Sequence, residues 1–300
     1  MNKFEKIRFC VLKALLTAFA CLPTPVLLAV SRVLCLVVGG VVRYRRRVVL
    51  GNLRRSFPDK SQDEIRRIAR GFYQHLCDLI VESVKLLHIS DAELAQRIEV
   101  LGGEGIEEMS KDGRPVIAFL GHYGNWEWVQ QVTRHYRRPA VTAEVYRPIK
   151  NSVVDALMMR LRGRFDTTLI PQKQAVRHLL QMDRDGVQFL VGFVADQRPN
   201  SKHLYHWTDF LSQDTPYAVG GEEIGRRMNA HFVYIDVEKP ARGYYRMTFR
   251  PIRPENTDVE YPCTLEYMRL LEQRIRHAPE YWLWSHNRWK YDRQGRIIHR

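Results

Sequence analysis

Cysteine is scarce in this chain, and its spacing is informative. The five residues Cys10, Cys21, Cys35, Cys77 and Cys263 form no C-x-x-C pair. That argues against a zinc ribbon and against a disulfide framework, and a reducing, cytosol-facing location fits best. Internal repeats, low-complexity tracts and Ser/Gly linkers are missing from residues 61–300, which therefore read as one domain. No G-x-S-x-G motif occurs, and Gly220-Gly221-Glu222-Glu223 lacks the strand-and-glycine pattern of a nucleotide loop. His203 and His206 have the spacing of a metal pair, but no third ligand adjoins them, so neither a metal nor a cofactor is expected.

Acidic residues are nearly absent from the first 60 positions, where 12 Lys or Arg face only Glu5 and Asp59. This segment carries +10 of the formal +14, leaving +4 for the other 240 residues. The excess coincides with an apolar run from Val11 to Val42, interrupted at Lys13, Pro23, Pro25 and Ser31-Arg32. Basic charge beside apolar sequence points to a membrane and away from nucleic acid. We read residues 1–48 as a membrane anchor and 49–300 as the globular domain that follows it on the cytoplasmic side. A hairpin, an interfacial helix pair and a buried core stay open as alternatives to a single span, because Ala14–Val30 is short and broken by two prolines. No small-x-small site follows the run, which disfavours a cleaved signal peptide.

Beyond the anchor, Ser61 followed by Glu64 forms a capping box for a helix to about Leu87, with Ile65, Ile68, Phe72, Leu76, Leu79 and Ile80 at helical spacing. From Pro115 short apolar runs alternate with helical stretches, the rhythm of an α/β fold with a mixed sheet flanked by helices. Strands are expected at Val116–Leu120, Ala140–Tyr146, Thr167–Pro171, Val187–Ala195, Ala230–Val237 and Tyr244–Ile252. Helices are expected at Asn125–Tyr136, Ser152–Arg164, Gln174–Arg184, Tyr217–Met228 and Thr264–His277. Pro199–Pro216 reads as a polar, strandless surface loop near the site.

The chemistry is concentrated after the first of these strands, in Gly121-His122-Tyr123-Gly124-Asn125-Trp126-Glu127-Trp128. Two glycines permit a turn, Asn125 suits an N-cap, and a neutral imidazole with a carboxylate nearby suits general-base chemistry on a hydroxyl. On a continuous helix His122 and Glu127 would not share a face, so a turn has to bring them together. A surface His and a capping Glu remain the bland alternative.

H-x-x-x-x-E after an apolar strand resembles the signature of glycerolipid-type acyltransferases. GHYGNWEW is more similar still to the late acyltransferases of lipid A biosynthesis, which add secondary acyl chains to the lipopolysaccharide anchor. The resemblance extends over most of the chain. It includes Arg47-x-x-x-x-Asn52-Leu53-x-x-Ser56-Phe57-Pro58, Asp196-Gln197, and Pro279-Glu280-x-Trp282-x-Trp284-x-His286-x-Arg288-Trp289-Lys290. It implies transfer of a fatty acyl group from an acyl thioester, on acyl carrier protein or CoA, to a hydroxyl of a lipid A precursor, with His122 and Glu127 catalytic. A lysophospholipid or amino-acid-linked lipid acceptor is the alternative, and a non-catalytic membrane-tethered binding protein a more distant one.

Arg160, Arg162 and Arg164 fall where the family carries a basic site segment, and they read as phosphate-directed substrate binders or, alternatively, as a solvated helix face. Asp196 ends an apolar strand, so its carboxylate needs a partner. It reads as lining the site with Gln197, an ion pair being the alternative. The Trp282–Lys290 cluster reads as packing that closes one end of the sheet rather than as a base-stacking platform.

Overall fold

The computed structural model describes residues 2–135, 139 and 141–298. The chain begins with helices α1 (Lys3–Ala20) and α2 (Thr24–Cys35), the latter continuing through a π-helical turn, Leu36–Val41. Pro23 and Pro25 separate the two helices, since a proline in the second position of α2 suits a helix start and not a helix interior. Next come α3 (Arg46–Ser56), α4 (Gln62–Lys85) and α5 (Asp91–Arg97). In α4 the capping box forms as expected, Glu64 N–H donating to Ser61 Oγ at 3.3 Å and Ser61 N–H to the Glu64 carboxylate at 2.9 Å.

The α/β part comprises β1 (Ile98–Leu101), α6 (Gly103–Met109), β2 (Val116–Leu120), a 3₁₀ helix Trp126–His135, β3 (Val141–Tyr146) and α7 (Ser152–Arg162). It continues with β4 (Thr168–Pro171), α8 (Ala175–Arg184), β5 (Phe189–Val194), β6 (Trp207–Phe210), β7 (Gln213–Pro216) and α9 (Gly220–Arg227). Then follow β8 (His231–Ala241), β9 (Tyr244–Pro251) and α10 (Pro262–His277). Seven strands form one mixed sheet in the order β1-β9-β8-β2-β5-β3-β4. Every pair is parallel except the β8–β9 hairpin.

All five β2 residues are buried, as a central parallel strand covered on both faces requires. Val116, Ile117, Phe119 and Leu120 each contribute roughly 1.5–3 kcal/mol by leaving water.

The strand expected at Val116–Leu120 is present with those ends, and the later strands and helices are present with shifted ends, the one at Asn125–Tyr136 as the 3₁₀ helix Trp126–His135. Ala140 and Tyr136, the outer residues of two of them, lie outside the described residues. Pro199–Pro216 needs correction: β6 and β7 pair there as an antiparallel hairpin. Its residues Thr208, Asp209, Gln213 and Asp214 are too polar for a strand signal. The hairpin holds because Phe210 and Thr215 are buried beneath it and Trp289 donates to Thr215 Oγ1 at 2.7 Å. Strand β1 has no strong signal of its own and is defined by its pairing with β9.

The segment Thr24–Val41 is one helix long and apolar enough to cross a membrane, with mean hydropathy 2.0 and 17% of it buried. The α1–α2 pair is also tied to the rest of the chain. Ser31 Oγ donates to Asp78 at 2.5 Å, Lys85 Nζ donates to the carbonyls of Ala20 and Leu22, and Arg242 bridges Leu28 O, Ser31 and Asp78. Asp78 and Lys85 are buried, so deleting residues 1–42 would take the Ser31 hydroxyl from Asp78 and the Ala20 and Leu22 carbonyls from Lys85, leaving Asp78 with Lys239 and Arg242 and Lys85 with Glu93.

Candidate active site

Strand register builds the site. In the β2–β5 ladder Leu120 is opposite Val194, so two residues further on His122 and Asp196 emerge side by side at the carboxyl ends of adjacent parallel strands. Crevices at that edge of an open α/β sheet are where ligands bind. His122 Nδ1 lies 2.6 Å from Asp196 Oδ1, and the His122 backbone N–H donates to Asp196 Oδ2 at 2.9 Å. The Trp282 indole N–H donates to the same Oδ2 at 2.7 Å.

Asp196 is 4% exposed. Burial opposes its ionisation, but the His122 imidazole and N–H and the Trp282 indole outweigh that and hold its carboxyl down at about 2. An ionised Asp196 fixes the proton on Nδ1 and leaves Nε2 of the neutral ring as an acceptor. Gln197 Nε2 meets it at 3.1 Å. The His122 side chain keeps 19% exposure, so this ring lies at the surface end of a buried carboxylate.

The turn after His122 depends on Gly124, whose φ of +59° favours glycine and where a Cβ would come within 2.7 Å of Val237. The C-terminal segment grips the turn from both sides. Leu283 N–H donates to His122 O at 3.1 Å and Gly124 N–H to Tyr281 O at 3.0 Å. Trp282 packs edge-on against Trp284 with ring centroids 4.7 Å apart. The Trp282–Lys290 cluster thus packs at the end of the sheet as expected, and Trp282 adds a donor to the site that its aromatic spacing did not announce. Asn52 binds this cluster to α3, donating to Trp284 O at 3.0 Å and His286 O at 2.9 Å. Two motifs more than 200 residues apart therefore meet beside the His122 turn. 

The pairing of His122 with Glu127 needs correction. The carboxylate on the imidazole is that of Asp196, while Glu127 faces Arg162 in a bidentate pair, 2.8 Å to Nη2 and 3.0 Å to Nε. The cause is the local backbone: Asn125 caps the 3₁₀ helix, its Oδ1 accepting the Trp128 N–H at 3.1 Å, and the first turn carries Glu127 toward α7. Glu127 keeps an indirect link, because it accepts from the Trp126 indole at 3.1 Å and the Trp126 ring stands edge-on to His122 at 5.2 Å.

Arg162 also approaches Glu144 at 3.5 Å, so its fork is engaged by two carboxylates of the chain itself. Burial opposes the Arg162 charge, and Glu127 and Glu144 outweigh it and raise its pKa. Burial raises that of Glu144. A lone carboxylate inside the apolar strand Val141–Tyr146 was the signal for Glu144, since it could be buried only with a partner.

The other two arginines do not join this cluster. Arg164 caps the end of α4, donating to Leu86 O at 2.6 Å and to Ile89 O, and pairs with Asp91. Arg160 is exposed on α7. The three arginines expected as phosphate binders thus have separate surroundings, because the helix ends at Arg162 and the following 3₁₀ turn redirects Arg164.

Comparison with known proteins identifies the family. The chain is 23% identical over 258 residues to a lipid A biosynthesis lauroyltransferase of Escherichia coli strain K12, covering 85% of this chain and 82% of the relative. It is 22% identical over 270 residues to a lipid A biosynthesis palmitoleoyltransferase of the same organism and to a lipid A biosynthesis acyltransferase of Shigella flexneri, covering 90% of this chain and 86% of each relative. The profile of the bacterial lipid A biosynthesis acyltransferases matches residues 4–291, nearly the whole chain, and the protein belongs to that family of transferases.

Proposed function

We propose that the chain moves a fatty acyl group from an acyl thioester, carried by acyl carrier protein or CoA, to a hydroxyl of a lipid A precursor at the cytoplasmic face of the inner membrane. The observation that carries the mechanism is the His122–Asp196 pair at the carboxyl ends of β2 and β5, in a partly exposed ring whose Nε2 faces Gln197. In this reading the acceptor hydroxyl replaces Gln197 at Nε2 and gives up its proton as its oxygen attacks the thioester carbonyl. Asp196 stabilises the imidazolium that forms, and collapse of the tetrahedral intermediate expels the thiolate, which takes the proton back from Nε2. No acyl-enzyme is required.

Glu127 acts in the site by holding Arg162 and the Trp126 indole, which together shape the wall next to the imidazole. Gln197 lines the site and orients the acceptor. The test is mass spectrometry of lipid A from cells lacking the gene, complemented with the wild type or with His122→Ala. The deletion should lose an acyl chain that the wild type restores and the variant does not. Unchanged lipid A in the deletion strain would overturn the choice of acceptor.

A further inference from the structure

Where the apolar helix ends, the chain turns sharply, with Arg43 and Arg45 both in the left-handed region at φ 53° and 50°. This turn and the first half of α3 line an open cleft of about 620 Å³. Its walls carry Arg43, Arg45, Arg46, Arg47 and Arg54, all exposed, and among the described residues no acidic side chain lines it. Arg43, Arg45 and Arg54 each use a single side-chain nitrogen in hydrogen bonds, to Gly40 O, Ser285 O and Gln62 Oε1. A guanidinium has five N–H donors, so most of the donor capacity is unused.

The cleft's position says what would fill it. On α1 the exposed residues Phe4, Ile7, Val11 and Leu15 recur at helical spacing. On the following helix and its π-helical turn Val26, Val30, Val33, Val37 and Val41 do the same. Two outward apolar stripes on helices that both pack against α4 are the surface an embedded segment presents to lipid tails. The second stripe runs directly into the arginine turn, with Tyr44 half-exposed between them. That order, apolar stripe, aromatic, then clustered guanidinium groups, is the depth profile from acyl chains to headgroups.

We propose that this cleft is a binding site for the phosphomonoester headgroup of a membrane lipid, coordinated by the forked N–H groups of Arg46, Arg47 and Arg54. The proposal rests on the membrane placement in the reading above. A phosphomonoester presents three oxygens and up to two charges, which suits several convergent forks better than a phosphodiester does. Through Arg45 and Asn52, which bind the Ser285, Trp284 and His286 carbonyls, the same helix borders the segment that grips the catalytic turn. The bound headgroup therefore fixes the height and tilt of the active site over the membrane.

The test is co-sedimentation of the full chain with phosphatidylcholine vesicles, plain or doped with phosphatidic acid or phosphatidylglycerol. Phosphatidic acid should strengthen binding more than phosphatidylglycerol at matched surface charge. R46A/R47A/R54A should lose about fivefold per arginine, on the order of 10²-fold in all, against phosphatidic acid vesicles. The charge-conserving R46K/R47K/R54K should lose most of the preference for the monoester, because lysine keeps the charge but not the fork. A Lys variant indistinguishable from the wild type would reduce the cleft to diffuse attraction and overturn the proposal. Soluble glycerol 3-phosphate that competes as well as the lipid would overturn the assignment to a headgroup. Wild type that binds plain vesicles and gains nothing from phosphatidic acid sinks the cleft alone, whereas wild type that binds no vesicle sinks the membrane placement.

Discussion

Asp196 and Glu127 sit on opposite sides of the same histidine turn and are held in contrasting ways. Asp196 is buried at a strand end and accepts three hydrogen bonds, two of them from His122. Glu127 lies on a short 3₁₀ helix and neutralises an arginine that a second carboxylate also approaches. One carboxylate is placed by sheet register, which is stiff because every strand residue is pinned by its neighbours. The other is placed by the exit angle of a turn. Nearness in sequence therefore picked out Glu127, and nearness in the sheet belongs to Asp196.

The contrast can be broken most directly at the histidine. His122→Ala should fold normally and lose about 10³–10⁴-fold in acyl transfer, and Asp196→Asn about 10²–10³-fold, measured with purified protein, an acyl thioester and a lipid acceptor. The double variant should resemble His122→Ala alone, because the two act as a unit. Near wild-type turnover by folded His122→Ala would end the proposed mechanism, and additive losses would dissolve the pair.

Glu127 should behave differently, with its first effect on stability. Glu127→Ala leaves Arg162 facing only Glu144 and should cost about 3 kcal/mol, read from denaturant midpoints. Adding Arg162→Met should recover part of that stability, since removing both charges is less costly than stranding one. If Glu127→Ala instead unfolds like the wild type while turnover collapses, Glu127 takes part in the chemistry directly.

Trp282→Phe sharpens the comparison on the Asp196 side. It keeps the aromatic packing and removes one of the three donors, a loss of about 1–1.5 kcal/mol and so roughly tenfold in turnover. Replacing Trp284, whose indole donates to Pro279 O at 2.6 Å, with Phe should alter stability more than rate.

The pH dependence of stability probes the same carboxylate without touching turnover. The folded-state pKa of Asp196 lies below its unfolded value, so its contribution is fully present above about pH 4 and is lost as pH falls through about 2. The amount is on the order of 2 kcal/mol. Asp196→Asn should therefore show a shallower acid limb in urea midpoints between those limits, and a limb unchanged from the wild type would mean that the carboxylate is not held ionised by its partners.

Much was legible from local pattern. The alternation of apolar runs and helical stretches is set by side-chain periodicity, which each segment carries by itself, so the α/β class, the capping box at Ser61 and the apolar character of Thr24–Val41 could be read residue by residue. The segment around His122 was legible because its glycines, Asn cap and histidine act within one turn. What lies between segments was not. The β6–β7 hairpin is polar and exists only because Phe210, Thr215 and Trp289 are packed under it. Arg164 looked like a companion of Arg162 until the end of α7 turned it onto the α4 carbonyls.

The partner of His122 is the clearest division. The sequence by itself determined that a histidine follows a buried strand and that Asp196, at the end of another apolar strand, needed a partner. Only the tertiary structure decided that they are partners of each other, because strand order and register are choices among pairings that leave each strand's own pattern unchanged. The same holds for Asn52 and Trp284, whose contact depends on how α3 docks on the C-terminal segment. Interactions within a turn are encoded where they act, and those across the sheet are fixed only when the whole core has been packed.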